Sequence, residues 1–169
     1  DGRSYITKNK GNAFRYASFM SGDEEYVYVL EFDVDEDDLG LDEDEVGHVI
    51  YLYLNGKCEL PFRKTLLKYF TKEELYGIKK GNFSSFASCK KILDRLTKDE
   101  TKQILSLPET RNATTHKNVK PTAQWSVKRP NKKIRDEIMK RARTNPDIFT
   151  DYFEKYKKTI IHTGNWGCG

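Results

Sequence analysis

The sequence predicts a mixed α/β fold, and three observations predict it. Residues 26–34 read Tyr-Val-Tyr-Val-Leu-Glu-Phe-Asp-Val, a run of β-branched and aromatic residues with strand character. From Pro61 onward apolar residues recur at helical spacing, as in Phe62, Leu66, Leu67, Tyr69 and Phe70. Residues 157–162 form a last β-type run that passes directly into a glycine-rich turn. A chain of 169 residues suffices for one ordinary domain with a real core, or for two small subdomains. Hydrophobic content is a modest 37%, but ten Tyr, nine Phe and two Trp supply large apolar surfaces, so a folded protein is expected.

Taken in order, Ser4 to Thr7 reads as a short strand, and Asn12 is expected to cap a helix carrying Phe14, Tyr16, Ala17 and Met20. The strand at 26–34 is followed by acidic turns up to Glu45. A second strand is expected at 49–54, ending at the Asn55-Gly56 turn signal, with residues 57–60 folding back as a hairpin. Thr71 is followed three residues later by Glu74, and a further apolar stripe follows in Phe86, Ile92, Leu93 and Leu96. Thr97 is expected to cap a helix that carries Ile104 and ends at Leu107 before Pro108. Residues 108–131, with Pro108, Pro121 and Pro130, read as a long surface connection anchored by Trp125. A basic helix then runs from Pro130 or Asn131 to about Arg143, and Asn145-Pro146 introduces another over 147–156.

The net charge of +4 conceals two opposite halves. Residues 1–60 hold 5 Lys/Arg against 15 Asp/Glu, and residues 61–169 hold 25 against 11. The organisation expected is thus an acidic, strand-rich segment over 1–60 and a basic, helical segment over 61–169 that ends in a strand and loop. Together these make one domain or a fragment of a larger one, with both ends cut. Cys58, Cys89 and Cys168 are odd in number and have no C-x-x-C spacing, which argues against a disulfide framework and against a zinc site. His48, His116 and His162 are equally scattered. Neither a metal nor a cofactor is expected. No apolar run approaches bilayer length, so a soluble intracellular protein, cytoplasmic or nuclear, is the expectation.

The C-terminal end is Thr163-Gly164-Asn165-Trp166-Gly167-Cys168-Gly169. Glycines let successive backbone N–H groups approach an anion without obstruction, so a strand that runs into such a turn is a recognised way of cradling phosphate. The whole string resembles the T-G-N-W-G-C-G stretch of the poly(ADP-ribose) glycohydrolase family, and it includes the two rare residues Trp166 and Cys168. The resemblance covers the last strand and the loop. It implies a macrodomain-type α/β/α fold with ADP-ribose across the strand ends, and a loop whose backbone at Gly167, Cys168 and Gly169 faces the diphosphate. It also implies hydrolysis of ribose–ribose O-glycosidic bonds. Family members carry a Gly-Gly-Gly run followed by Gln-Glu-Glu, the second glutamate acting as general acid, and continue past the loop with Ala-Phe-Gly-Gly. None of these elements lies within residues 1–169. Cleaving a glycosidic bond needs a positioned carboxylic acid, so no catalytic residue is assigned; Glu24-Glu25 lacks a preceding glycine run and reads as a solvated turn.

Three further patterns bear on function. Asp33, Asp35 and Asp37 match the first ligand positions of a calcium loop, but Asp38 stands where glycine is required and Asp44 where a bidentate Glu is required. A solvated acidic turn is the reading. The order Tyr5-Ile6-Thr7, Ala13, Tyr16-Ala17, residues 28–35 and Asp42-Glu43-Asp44-Glu45 loosely resembles the middle of ADP-ribosyltransferase-like proteins, which implies an NAD-binding alternative without an assignable catalytic Glu. The basic stretch Lys128-Arg129-Pro130-Asn131-Lys132-Lys133-Ile134-Arg135, continuing to Lys140, Arg141 and Arg143, suggests contacts to nucleic-acid or poly(ADP-ribose) phosphates, with Trp125 beside it to stack a base. The partners expected are therefore ADP-ribose or poly(ADP-ribose), or nucleic acid through the basic region, and not a membrane.

Overall fold

The computed structural model of the protein describes residues 4–19, 22–118 and 120–160. In chain order the elements are β1 (Ser4–Thr7), α1 (Lys10–Phe19), β2 (Tyr26–Glu31), α2 (Glu43–Leu54), α3 (Arg63–Leu67), α4 (Lys72–Lys79) and α5 (Phe83–Phe86). They continue with α6 (Lys90–Leu93), α7 (Lys98–Leu105), β3 (Asn112–Thr115), β4 (Ala123–Lys128), α8 (Lys132–Arg141), α9 (Ile148–Tyr156) and β5 (Lys158–Thr159). The fold is mixed α/β, with small sheets flanked by helices. Two compact units interleave along the chain. The first combines the segment up to Ile6 with Asp35–Lys117, and the second combines Thr7–Val34 with the segment from Asn118 onward.

The first unit is mainly helical. The strand expected at 49–54 is instead the second half of α2, and residues 57–60 form no hairpin. Val46, Val49 and Ile50 sit at helical spacing and are almost fully buried. Asp42 caps the helix by accepting from the Glu45 N–H, and Glu43, Asp44 and Glu45 place negative charge at its positive end. The Asn55-Gly56 pair closes this helix and does not turn a hairpin. Gly56 takes a φ of 68°, its N–H donates to the Tyr53 carbonyl, and the Lys57 N–H reaches back to the Leu52 carbonyl. Gly81 closes α4 in the same way at φ 72°. Both expected caps form: Thr71 pairs reciprocally with Glu74 on α4, and Thr97 caps α7, where Glu100 completes the same arrangement. The core joins Val46, Val49, Ile50, Leu66, Ile78, Phe86, Ile92 and Ile104 around Cys89. Burial pushes the Cys89 thiol up to about 12, so it is an inert core group. A two-stranded sheet of β1 and β3 completes the unit, with Gly40 and Thr114 exchanging backbone hydrogen bonds of 2.8 and 2.9 Å.

The second unit is a two-layer arrangement. β2, β4 and β5 form an antiparallel sheet in that order, with Tyr26 opposite Lys128, Val29 opposite Trp125 and Trp125 opposite Thr159. Val27, Val29 and Val127 face inward and join a core of Phe14, Ile138, Phe149 and Phe153. The 108–131 segment is therefore no bare connection: it contains β3 and β4. Pro121 and Pro130 bracket β4 without interrupting it. α1 begins at Lys10, two residues before the expected cap, and the Asn9 side chain accepts from the Asn12 N–H. The α1 and α9 backbones approach closely at Gly11, where a Cβ would stand 2.7 Å from the Thr150 nitrogen. Asn131 caps α8 as expected, accepting from the Ile134 N–H at 3.0 Å. Of the expected last strand, Lys158 and Thr159 pair with β4; its final two residues, Ile161 and His162, lie outside the described residues.

Candidate functional site

The glycine loop predicted to hold a diphosphate, Thr163 to Gly169, lies outside the described residues. The described element next to it in the chain is β5, on the edge of the second unit's sheet. On the neighbouring strand, Trp125 meets Phe153 edge-on at 5.8 Å between ring centroids. The Lys10 and Lys157 ammonium groups each stand 5.3 Å from the Trp125 ring centre. Glu154 is 3.8 Å from Lys10 and 2.5 Å from Lys157, and the Lys157 hydrogen bond holds its carboxyl below the usual range. Trp125 is thus a half-buried, cation-flanked residue that anchors β4 from the sheet's inner face.

The basic stretch divides into one inward residue and three outward ones. The Arg129 side chain is only 9% exposed. Its guanidinium donates to the Glu24 carbonyl at 2.7 Å, to the Ser18 carbonyl at 3.1 Å and to the Glu24 carboxylate at 2.9 Å. It therefore ties the start of β2 and the end of α1 to β4. Lys128, Lys132 and Lys133 are exposed. Lys128 lies 3.4 Å from the exposed carboxylate of Glu25, a contact that solvent makes weak. Glu24 and Glu25 are accordingly partners of Arg129 and Lys128 on an exposed turn.

A separate cleft of about 630 Å³ opens within the first unit. Leu39, Leu41, Leu93 and Leu96 give it an apolar lining, and Glu36, Glu43, Asp94, Lys90 and Lys98 give it charge of both signs. The acidic run behind the calcium pattern forms part of this wall. Asp35 caps the turn Glu36–Asp38, Asp37 is ion-paired to Lys102, and Asp38 lies 3.7 Å from Lys117. Lys102 holds the Asp37 carboxyl below its ordinary range. Among the described residues no three His, Cys, Asp or Glu side chains are grouped as a metal site.

The same unit also holds a buried carboxylate that no pattern of residue order announces. Glu45, 5% exposed, accepts from the Arg111 backbone N–H and, at 3.2 Å, from the Asn112 side chain. It joins the first turn of α2 to the start of β3. One turn further along α2, His48 stacks on Tyr51 with centroids 6.3 Å apart. Burial lowers the His48 pKa, the Arg111 charge lowers it further, and Glu45 opposes both. The neutral imidazole is therefore the form the fold favours. Its contribution is complete above the ordinary histidine pKa and is lost as pH falls from there through the depressed folded value. Urea unfolding between pH 7.5 and pH 5 is expected to show less acid-linked loss of stability in His48→Gln than in the parent; identical slopes would contradict the assignment.

Fold and site together define a mixed α/β protein of two units, one with a mixed-charge cleft and one with an antiparallel sheet leading into a glycine-rich segment. Comparison with protein-family models, with curated proteins and with solved structures finds no match. Among the described residues no helix is long and apolar enough to cross a membrane.

Proposed function

We propose that this protein binds ADP-ribose in the manner of poly(ADP-ribose) glycohydrolases, with the backbone amides of Thr163 to Gly169 around the diphosphate. The observation that carries the reading is the seven-residue T-G-N-W-G-C-G string itself, because it joins glycines at the positions that phosphate approach demands to two rare residues. The pairing of Lys158 and Thr159 with β4 supports it, since a phosphate loop of this kind needs a strand to launch it. The macrodomain-type α/β/α arrangement and the hydrolase activity belong to the same proposal. Its catalytic acid is unassigned.

Isothermal titration of the protein with ADP-ribose is expected to give a dissociation constant on the order of micromolar, about 8 kcal/mol of binding. Gly167→Val and Gly169→Val are each expected to weaken it at least tenfold, about 1.4 kcal/mol, because a branched side chain blocks the approach of the anion. Absence of heat with the parent, or unchanged affinity in both variants, would remove the reading.

A second reading, a non-catalytic module for polyanions, is favoured by the exposure of Lys128, Lys132 and Lys133 at one end of the β2–β4–β5 sheet. It requires binding that falls steeply with salt.

A further inference from the structure

We infer that the face of the β2–β4–β5 sheet that carries Tyr26 and Tyr28 is a stacking platform for single-stranded nucleic acid, with Tyr26 and Tyr28 taking bases and Lys128, Lys132 and Lys133 taking phosphates. The inference rests on the second reading and supplies what basic residues alone lack, a surface that selects unpaired bases. Its origin is the period-two pattern of β2. Val27 and Val29 are 4% exposed and face the helices, whereas Tyr26, Tyr28 and Leu30 are 41%, 57% and 42% exposed. α1 and α9 pack on the inner side of the sheet, and none of the described residues buries the outer one to a comparable degree. Two residues two apart on one strand stand about 7 Å apart, and both tyrosine side chains are exposed. Three large apolar or aromatic side chains exposed side by side on one strand face make a contiguous patch of the kind that marks an interaction surface.

Charge decides which partner. The register places Lys128 opposite Tyr26, Ser126 opposite Tyr28 and Gln124 opposite Leu30, and it places Lys158 opposite Ser126. Opposed residues share a face, so two lysines and two hydrogen-bonding side chains surround the aromatic row, and no carboxylate occupies an outward position of these paired strands. Glu25, just before β2, is the nearest acid to Lys128, and the pair is exposed on both sides. Past Lys128 the chain passes through Pro130 into α8, whose first residues Lys132 and Lys133 are exposed and add positive charge four and five residues beyond Lys128. The unit as a whole carries 15 Lys/Arg against 10 Asp/Glu, while the other unit carries 15 against 16. Exposed aromatics on a sheet with flanking cations are a general means of holding unpaired bases, because every base has a π-face and every linkage a negative charge.

Fluorescence anisotropy with a labelled single-stranded 12-mer at low salt tests this. Binding is expected, with each of Tyr26→Ala and Tyr28→Ala weakening it about tenfold. Tyr28→Phe should stay within about twofold, since the ring remains. Lys132→Gln and Lys133→Gln should each reduce the log–log salt slope by about 0.7. The tyrosine variants are surface changes, and circular dichroism checks that they fold. If the lysine variants weaken binding but the Tyr26→Ala/Tyr28→Ala double variant does not, the platform is overturned and the second reading survives. No binding, or preference for duplex or for poly(ADP-ribose) over the single strand, overturns it as well. So does concentration-dependent self-association abolished by the double variant, since a second copy would then be the occupant. ADP-ribose binding is expected to be unaffected by the double variant, which separates this test from that of the glycine loop.

Discussion

Phe153→Ala is expected to destabilise the protein by about 3–5 kcal/mol, a large share of the total stability of an ordinary domain. Phe153 is fully buried in the second unit, where its ring lies 6.2 Å from that of Phe14 and meets Trp125 edge-on. Truncation removes the apolar transfer of the ring and leaves a cavity between α1, α9 and β4, whose walls are held by the sheet register and cannot simply collapse. Phe153→Leu refills most of the volume and should cost under about 1.5 kcal/mol if the neighbours repack. Urea titration followed by tryptophan fluorescence gives both values. A loss below 1 kcal/mol for Phe153→Ala would mean that the aromatic cluster does not hold the unit together. Trp125 pairs across to Thr159 in β5, so a loosened Trp125 also loosens the strand that leads toward the glycine-rich segment.

The second large effect is expected from Gly47→Ala, where two forces oppose each other. In the middle of α2, alanine is favoured over glycine by about 1 kcal/mol of helix propensity. At this position, however, a Cβ would stand 2.5 Å from Cγ and 2.8 Å from Cβ of Phe86, itself only 3% exposed. Overpacking of this kind costs about 1–3 kcal/mol and exceeds the propensity gain. Net destabilisation of up to about 2 kcal/mol is therefore expected. Adding Phe86→Leu should couple with Gly47→Ala, the pair losing less than the sum of the single changes. A stabilised Gly47→Ala protein would show that α5 moves away at no cost.

Much of the local structure is legible in the sequence because its causes are local. Thr71 with Glu74 and Thr97 with Glu100 satisfy helix N-terminal donors within one turn, and Asn131 does the same for α8. The β2 run is legible too, through its β-branched and aromatic residues. Asn55-Gly56 shows where such reading fails. A glycine at positive φ serves a hairpin and a helix end equally, and the β-branched and aromatic residues 49–54 suit a strand. Burial of Val46, Val49 and Ile50 on one helical face, together with the Asp42 cap, decides for the helix. β4 was hidden for the converse reason: bracketed by prolines and rich in polar residues, it is a strand because β2, roughly a hundred residues earlier, supplies its hydrogen bonds.

The candidate sites divide along the same line. The glycine string and the basic run are properties of residue order, and the chain alone announces them. Order could not reveal that Arg129 turns inward to hold two carbonyls while Lys128 faces out, or that Glu45 is buried between α2 and β3. Nor could it reveal that Tyr26 and Tyr28 are exposed on the face that they share with Lys128. Those outcomes depend on which face of each element finds a partner, and burial and hydrogen bonding between residues distant in sequence are fixed only when the chain has folded.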